Sequence, residues 1–157
     1  MKAAFLVFLG GGIGSMLRYL IYKMMAYSTY PVFISTLLIN FIGSLLLGFL
    51  LGYSIKQGNW SENSLLFLTT GLCGGFTTFS TFAFENHSML KDGDFLNFSL
   101  YIFGSIFFGI LAIFLGLYIS KLVWLILVLP LFWNDKKWAS EIFITPENSE
   151  NKLRKIT

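Results

Sequence analysis

The sequence predicts an all-α membrane protein with four transmembrane helices, the third of them broken at mid-membrane. Three observations carry that reading. Apolar residues make up 55% of the 157 and charged residues only 12%, with a mean hydropathy of +0.72. An ordinary soluble domain carries about twice that charge. Four apolar stretches each reach the roughly 20 helical residues that a hydrocarbon core of about 30 Å requires. The gaps between them are short and carry turn residues.

The first stretch covers residues 3–25. Lys2 followed by an apolar run has the look of a signal peptide. The run continues through Gly-rich sequence without a small-residue cleavage site, however, and further spans follow, so it is read as a retained first span. Tyr27-Ser28-Thr29-Tyr30-Pro31 leads into the second, residues 32–55. Lys56-Gln57-Gly58-Asn59-Trp60-Ser61 leads into the third, residues 64–88, and Lys91-Asp92-Gly93-Asp94 into the fourth, residues 95–121. Gaps this short make successive helices antiparallel neighbours, which puts both termini on one side. The fourth apolar run continues through Leu122 to Phe132, about 38 residues in all, too long for one span even when tilted. The helix is therefore expected to leave the membrane near Lys121. Residues 1–121 form the transmembrane domain. In residues 122–157, Trp124 to Trp138 reads as an interfacial segment, where Trp and Lys are favoured, and Ala139 to Thr157 as a disordered polar tail.

The charges exclude some functions and bear on orientation. A net charge of +3 without a basic cluster on a folded surface argues against nucleic acid as a partner. Cys73 is the sole cysteine and His87 the sole histidine, so neither a disulfide nor a side-chain metal cluster is predicted. No nucleophile–base pair stands out, and the chain is not read as an enzyme. Lys2, Lys56 and Lys121 fall on the side of the termini; Arg18, Lys23 and Lys91 fall on the other. That balance leaves almost no positive-inside bias, so such a core can insert both ways. The tail adds Lys136, Lys137, Lys152, Arg154 and Lys155 to the first side, where only the nearest pair lies close enough to count.

Three spans carry small residues four or so apart, a pattern that lets membrane helices approach closely. They are Gly10 and Gly14; Ser44, Gly48 and Gly52; and Ser105, Gly109, Ala112 and Gly116. Four small helices supply too little wall for a pore, so an oligomer is expected, a dimer being the simplest. Polar groups at membrane depth need partners. Asn40 is either an interhelical hydrogen bond or an amide donor facing a pore. Arg18 either snorkels to the surface or draws anions into a vestibule. Glu85 either pairs or caps a half-helix, or serves as a transport carboxylate.

The third span is the most informative. Thr69-Thr70-Gly71-Leu72-Cys73-Gly74-Gly75-Phe76-Thr77-Thr78-Phe79-Ser80-Thr81-Phe82 places adjacent glycines and many hydroxyls where lipid should be. These residues lower helix propensity. Non-helical backbone at that depth is tolerated only inside protein or beside a water-filled cavity. The span is therefore read as broken near Gly74 to Thr81, with freed carbonyls available to a hard cation such as sodium. Phe79 and Phe82 lie three apart, and their positive ring edges can help hold a partly dehydrated anion beside hydroxyl and amide donors.

At these residues the chain resembles the CrcB or Fluc fluoride channels. The resemblance covers roughly residues 1–120. It rests on Gly10-Gly11-Gly12-Ile13-Gly14-Ser15 with Leu17-Arg18, on Thr36-Leu37-Leu38-Ile39-Asn40-Phe41-Ile42-Gly43, and above all on the segment from Thr70 to Phe82 with Glu85. It implies an antiparallel, dual-topology homodimer in the cell membrane, with two fluoride pathways and a central sodium ion that is structural and not transported. By motif position, the Gly74 and Thr77 carbonyls would hold that sodium. Asn40, Phe79 and Phe82 would line the fluoride path, with Ser80, Thr81 and Ser105 near it and Arg18 at the vestibule. The fourth span departs from the family, offering Gly109 and Ile113 where polar side chains often follow. The residues after Lys121 depart as well. The implied activity is passive export of cytoplasmic fluoride, which reduces its toxicity. A small dual-topology multidrug exporter is the alternative, although such a transporter needs a buried carboxylate and the first two spans contain no Asp or Glu.

Overall fold

The computed structural model describes residues 1–57 and 60–133, with side chains to residue 128 except that of Gln57. The expected segment and tail beyond Trp133 lie outside the described residues. Residues 1–121 form one compact unit, which holds all but the end of the last helix.

Helix α1 runs Lys2–Met25 and α2 runs Val32–Gln57. Pro31 precedes α2, where a missing N–H and a fixed φ suit a helix start, and its carbonyl accepts the Ile34 N–H at 3.0 Å. The third span is composite. It opens with α3 (Glu62–Leu65), capped by the Ser61 hydroxyl, which accepts the Ser64 N–H at 3.1 Å. It continues as π-helix over Leu66–Cys73 and as one α turn, α4 (Gly74–Phe76). Thr77 and Thr78 are extended, and α5 (Phe79–Lys91) then resumes the helix. Gly93, at φ +73°, turns the chain into α6 (Phe95–Trp133), whose start is capped by Asp94 accepting the Asn97 N–H at 3.2 Å. Helical conformation thus does not stop at Lys121.

Among the described residues, four helical stretches are long and apolar enough to cross a membrane: Lys2–Met25, Val32–Lys56, Glu62–Lys91 and Phe95–Val128. Their outer faces carry large apolar side chains; Phe8, Phe84 and Phe103 are each 70% exposed or more. Lipid solvates such faces, which water would not. The protein is a multi-pass membrane protein.

The interruption at Thr77–Thr78 falls inside the window the sequence marked, but not at its glycines. Gly74 has helical φ −64° and ψ −39°. The glycines instead permit backbone contact. A Cβ on Gly75 would collide with the Gly11 carbonyl, and Cβ atoms on Gly10 and Gly14 would strike the carbonyls of Phe67 and Leu72. So α1 packs directly on the backbone of the third span. A second such crossing brings Gly48 of α2 against Ile113, and Gly116 of α6 against Leu45.

Candidate functional site

The interruption releases backbone groups that must find partners inside the membrane. Asn40, near the middle of α2, supplies two. Its Oδ1 accepts the Thr78 N–H at 2.8 Å and its Nδ2 donates to the Thr78 carbonyl at 3.2 Å. The carboxamide pairs with Thr78 as a neighbouring strand would. The Thr78 hydroxyl caps α5 by accepting the Thr81 N–H at 3.3 Å, and donates to Thr81 Oγ1 at 3.0 Å. Ser80 Oγ lies 3.4 Å from the same hydroxyl.

From the other side, α1 holds the end of the preceding turn. Arg18 Nη1 donates to the Thr77 carbonyl at 3.0 Å, and Nη2 lies 3.5 Å from Ser15 Oγ. Ser15 Oγ donates to the Gly75 carbonyl at 3.3 Å. The Thr77 side chain turns back to the Cys73 carbonyl at 3.0 Å. The helical donor for the Gly74 carbonyl is the Thr78 N–H, and Asn40 has taken it.

Against this interruption lies a cleft of about 420 Å³. Helix α2 contributes Asn40, Gly43, Ser44 and Leu47; the third span contributes Thr69, Cys73, Gly74 and Thr77 through Phe79, with Phe82; α6 contributes Ser105, Ile106 and Gly109. Asn40, Gly74, Thr77, Phe79, Phe82 and Ser105 are therefore brought to one wall. Arg18, Ser80 and Thr81 are not among the lining residues. The Phe79 and Phe82 ring centroids are 5.9 Å apart, and Phe79 is 78% exposed. Ser105 Oγ is buried without a hydrogen-bond partner. Among the described residues, no group of three or more His, Cys, Asp or Glu could hold a metal. Any cation here would depend on neutral oxygens of the backbone and of Asn, Ser or Thr side chains.

Glu85 sits one turn beyond Phe82. Its Oε1 accepts the Thr36 hydroxyl at 2.7 Å and its Oε2 the Tyr101 hydroxyl at 2.6 Å, while Tyr22 OH lies 2.7 Å from Thr36 Oγ1. One carboxylate thereby links α1, α2, α5 and α6. The Tyr101 ring also packs on Phe82, centroids 5.0 Å apart. Sequence reasoning gave no site role to Ser15 or Thr36, although both fall in the motifs that carry the resemblance, and did not single out Tyr101. The available signal was helical spacing: Thr36 and Tyr101 lie four residues before Asn40 and Ser105, and Ser15 three before Arg18.

A family model described as CrcB-like protein, Camphor Resistance (CrcB), matches residues 5–117. Among the relatives that carry the name fluoride-specific ion channel FluC are the following three. That of Gloeothece citriformis is 44% identical over 118 residues, covering 74% of this chain and 94% of the relative. That of Bacteroides fragilis is 42% identical over 125 residues, covering 77% and 98%. That of Pyrococcus furiosus is 40% identical over 117 residues, covering 74% and 94%. The match takes in α1 to α5 and α6 as far as residue 117, including every residue that builds the interruption and its cleft: the chain belongs to the CrcB family.

Proposed function

We propose that the chain is a subunit of a fluoride-specific channel that lets cytoplasmic fluoride leave passively. The observation that carries this reading is the coincidence of family membership with a cleft lined by neutral polar groups and aromatic rings at a helix interruption. Fluoride enters cells as its neutral acid and is trapped as the anion, so a selective pore suffices to release it. In the cleft, the anion would exchange hydration water for the Ser105 hydroxyl, the second N–H of the Asn40 carboxamide and the edges of Phe79 and Phe82.

A second copy of the chain, antiparallel to the first, would complete the wall. The exposure of Phe79 at the cleft and the even split of the core's positive charges support that assembly. The Gly74 and Thr77 carbonyls fit a hard cation such as sodium. The first has lost its helical donor, and the second keeps a lone pair beside the Arg18 bond. Two oxygens fall short of a full ligand set, so two copies would supply four. A sodium ion held there would stabilise the converging carbonyl dipoles and need not move with the anion. The multidrug-exporter alternative is not favoured, because Glu85 is occupied by two hydroxyls and α1 and α2 carry no carboxylate.

Purified protein reconstituted in fluoride-loaded liposomes tests the reading with a fluoride electrode. Rapid efflux is expected, strongly slowed by Phe79→Ala. Folded protein that releases no fluoride ends the proposal.

A further inference from the structure

Arg18 is the cation nearest the interruption, and its bonds assign its task. The guanidinium donates to the Thr77 carbonyl at 3.0 Å. It also reaches the hydroxyl of Ser15, a weak contact at 3.5 Å, and that hydroxyl donates to the Gly75 carbonyl at 3.3 Å. The helical donor for Thr77 is the Thr81 N–H, which the Thr78 hydroxyl has taken. The donor for Gly75 would be the N–H of Phe79, the first residue of α5 beyond the extended pair. Both carbonyls therefore face a membrane interior without their normal partners, and α1 provides substitutes. Meanwhile Arg18 does not line the cleft.

We propose that Arg18 is a positioning residue: with Ser15 it clamps the C-terminal end of the first half of the third span, and its charge serves backbone carbonyls instead of attracting anions. A cation is suited to this place, because a helix C-terminus carries a partial negative charge. The clamp holds Thr77, and Asn40 holds the next residue, Thr78. The extended pair is thus held from α1 and α2 together. Arg presents its donors in a rigid planar fork at fixed spacing, which the point charge of Lys on its flexible stem does not. The backbone contact of Gly14 with Leu72 and of Gly75 with Gly11 fixes α1 at the depth the clamp requires.

The protein contains its own reporter. Cys73 is the only cysteine, lines the cleft and is 3% exposed. Its carbonyl accepts both the Thr77 N–H and the Thr77 hydroxyl, each at 3.0 Å, so loosening Thr77 loosens Cys73. The rate at which a lipid-permeant maleimide labels Cys73 in liposomes measures that opening. Arg18→Gln is expected to raise the rate about tenfold, the effect of losing a hydrogen bond to a charged donor. Arg18→Lys should behave like Arg18→Gln, and Ser15→Ala should give a smaller rise. Wild-type labelling in Arg18→Gln or in Arg18→Lys overturns the clamp. So does an Arg18→Gln efflux deficit that is present at low ionic strength and vanishes at high, the mark of electrostatic attraction. Should Arg18→Gln fail to fold, Arg18→Lys and Ser15→Ala carry the same readout. The efflux arm rests on the channel reading and the labelling arm does not. Accelerated labelling in a protein that releases no fluoride sinks that reading and leaves the clamp standing.

Discussion

Thr78 has all its polar groups engaged: N–H and carbonyl by Asn40, hydroxyl by Thr81 with Ser80 close by. An extended residue inside a membrane is tolerable only on those terms. Replacing Asn40 by Ala strips two backbone groups of Thr78, itself 4% exposed, of their partners. The expected cost is about 2 kcal/mol or more, measurable as a lowered unfolding midpoint in detergent, with loss of fluoride efflux alongside. The sequence marked Asn40 as either a hydrogen bond or a pore donor. In the structure one carboxamide has hydrogens enough for both, since one N–H goes to Thr78 and another remains. That outcome was beyond a sequence reading, because Asn40 and Thr78 are 38 residues apart. The depth of Asn40 was visible in the sequence; its partner was not.

At the scale of elements, the third span shows where pattern reading stops. Glycine lowers helix propensity, and on that ground, with the neighbouring threonines, the break was expected within Gly74 to Thr81. Yet a glycine also lets two backbones touch, and both uses read alike in one chain. The structure separates them. Gly75 abuts Gly11, whereas an added Cβ at Gly12 meets nothing within 4 Å. Gly75→Ala is therefore expected to cost about 2 kcal/mol or more through forced separation of the helices. Gly12→Ala should be neutral or stabilising by up to about 1 kcal/mol. Equal unfolding midpoints for the two would refute the close-contact account. The actual interruption sits at threonines whose hydroxyls bond locally, turning a mediocre helix former into a cap. The π-helical stretch Leu66–Cys73 was also illegible, since eight apolar and hydroxyl residues give no period that separates π from α. The four spans, by contrast, were legible from hydropathy alone.

For the molecule as a whole, the fold stands on very few enclosed side chains. Among the described residues, only Ile39, Leu50, Cys73, Phe76, Tyr101 and Ala112 are buried apolar ones. Stability must come from small-residue crossings, interhelical polar bonds and the surrounding lipid. The family match ends at residue 117, and the cleft is built from residues 40 to 109. Truncation after Trp133 is accordingly expected to leave fluoride efflux within about twofold of the full chain, in line with the usual neutrality of changes outside the matched segment. Reporter fusions at the C-terminus should appear on both sides of the membrane if the balanced charges of the core decide insertion.

Among the described residues, none that lines the cleft bears a formal charge: Arg18 is bonded to the Thr77 carbonyl and Glu85 to Thr36 and Tyr101. A fluoride ion resting there would meet, from the described residues of this chain, only dipoles and ring quadrupoles. Such a place makes a shallow well and not a trap. Entry is rewarded just enough to offset shed water, and departure meets little resistance. Throughput, not tight retention, is what a wall of that kind favours.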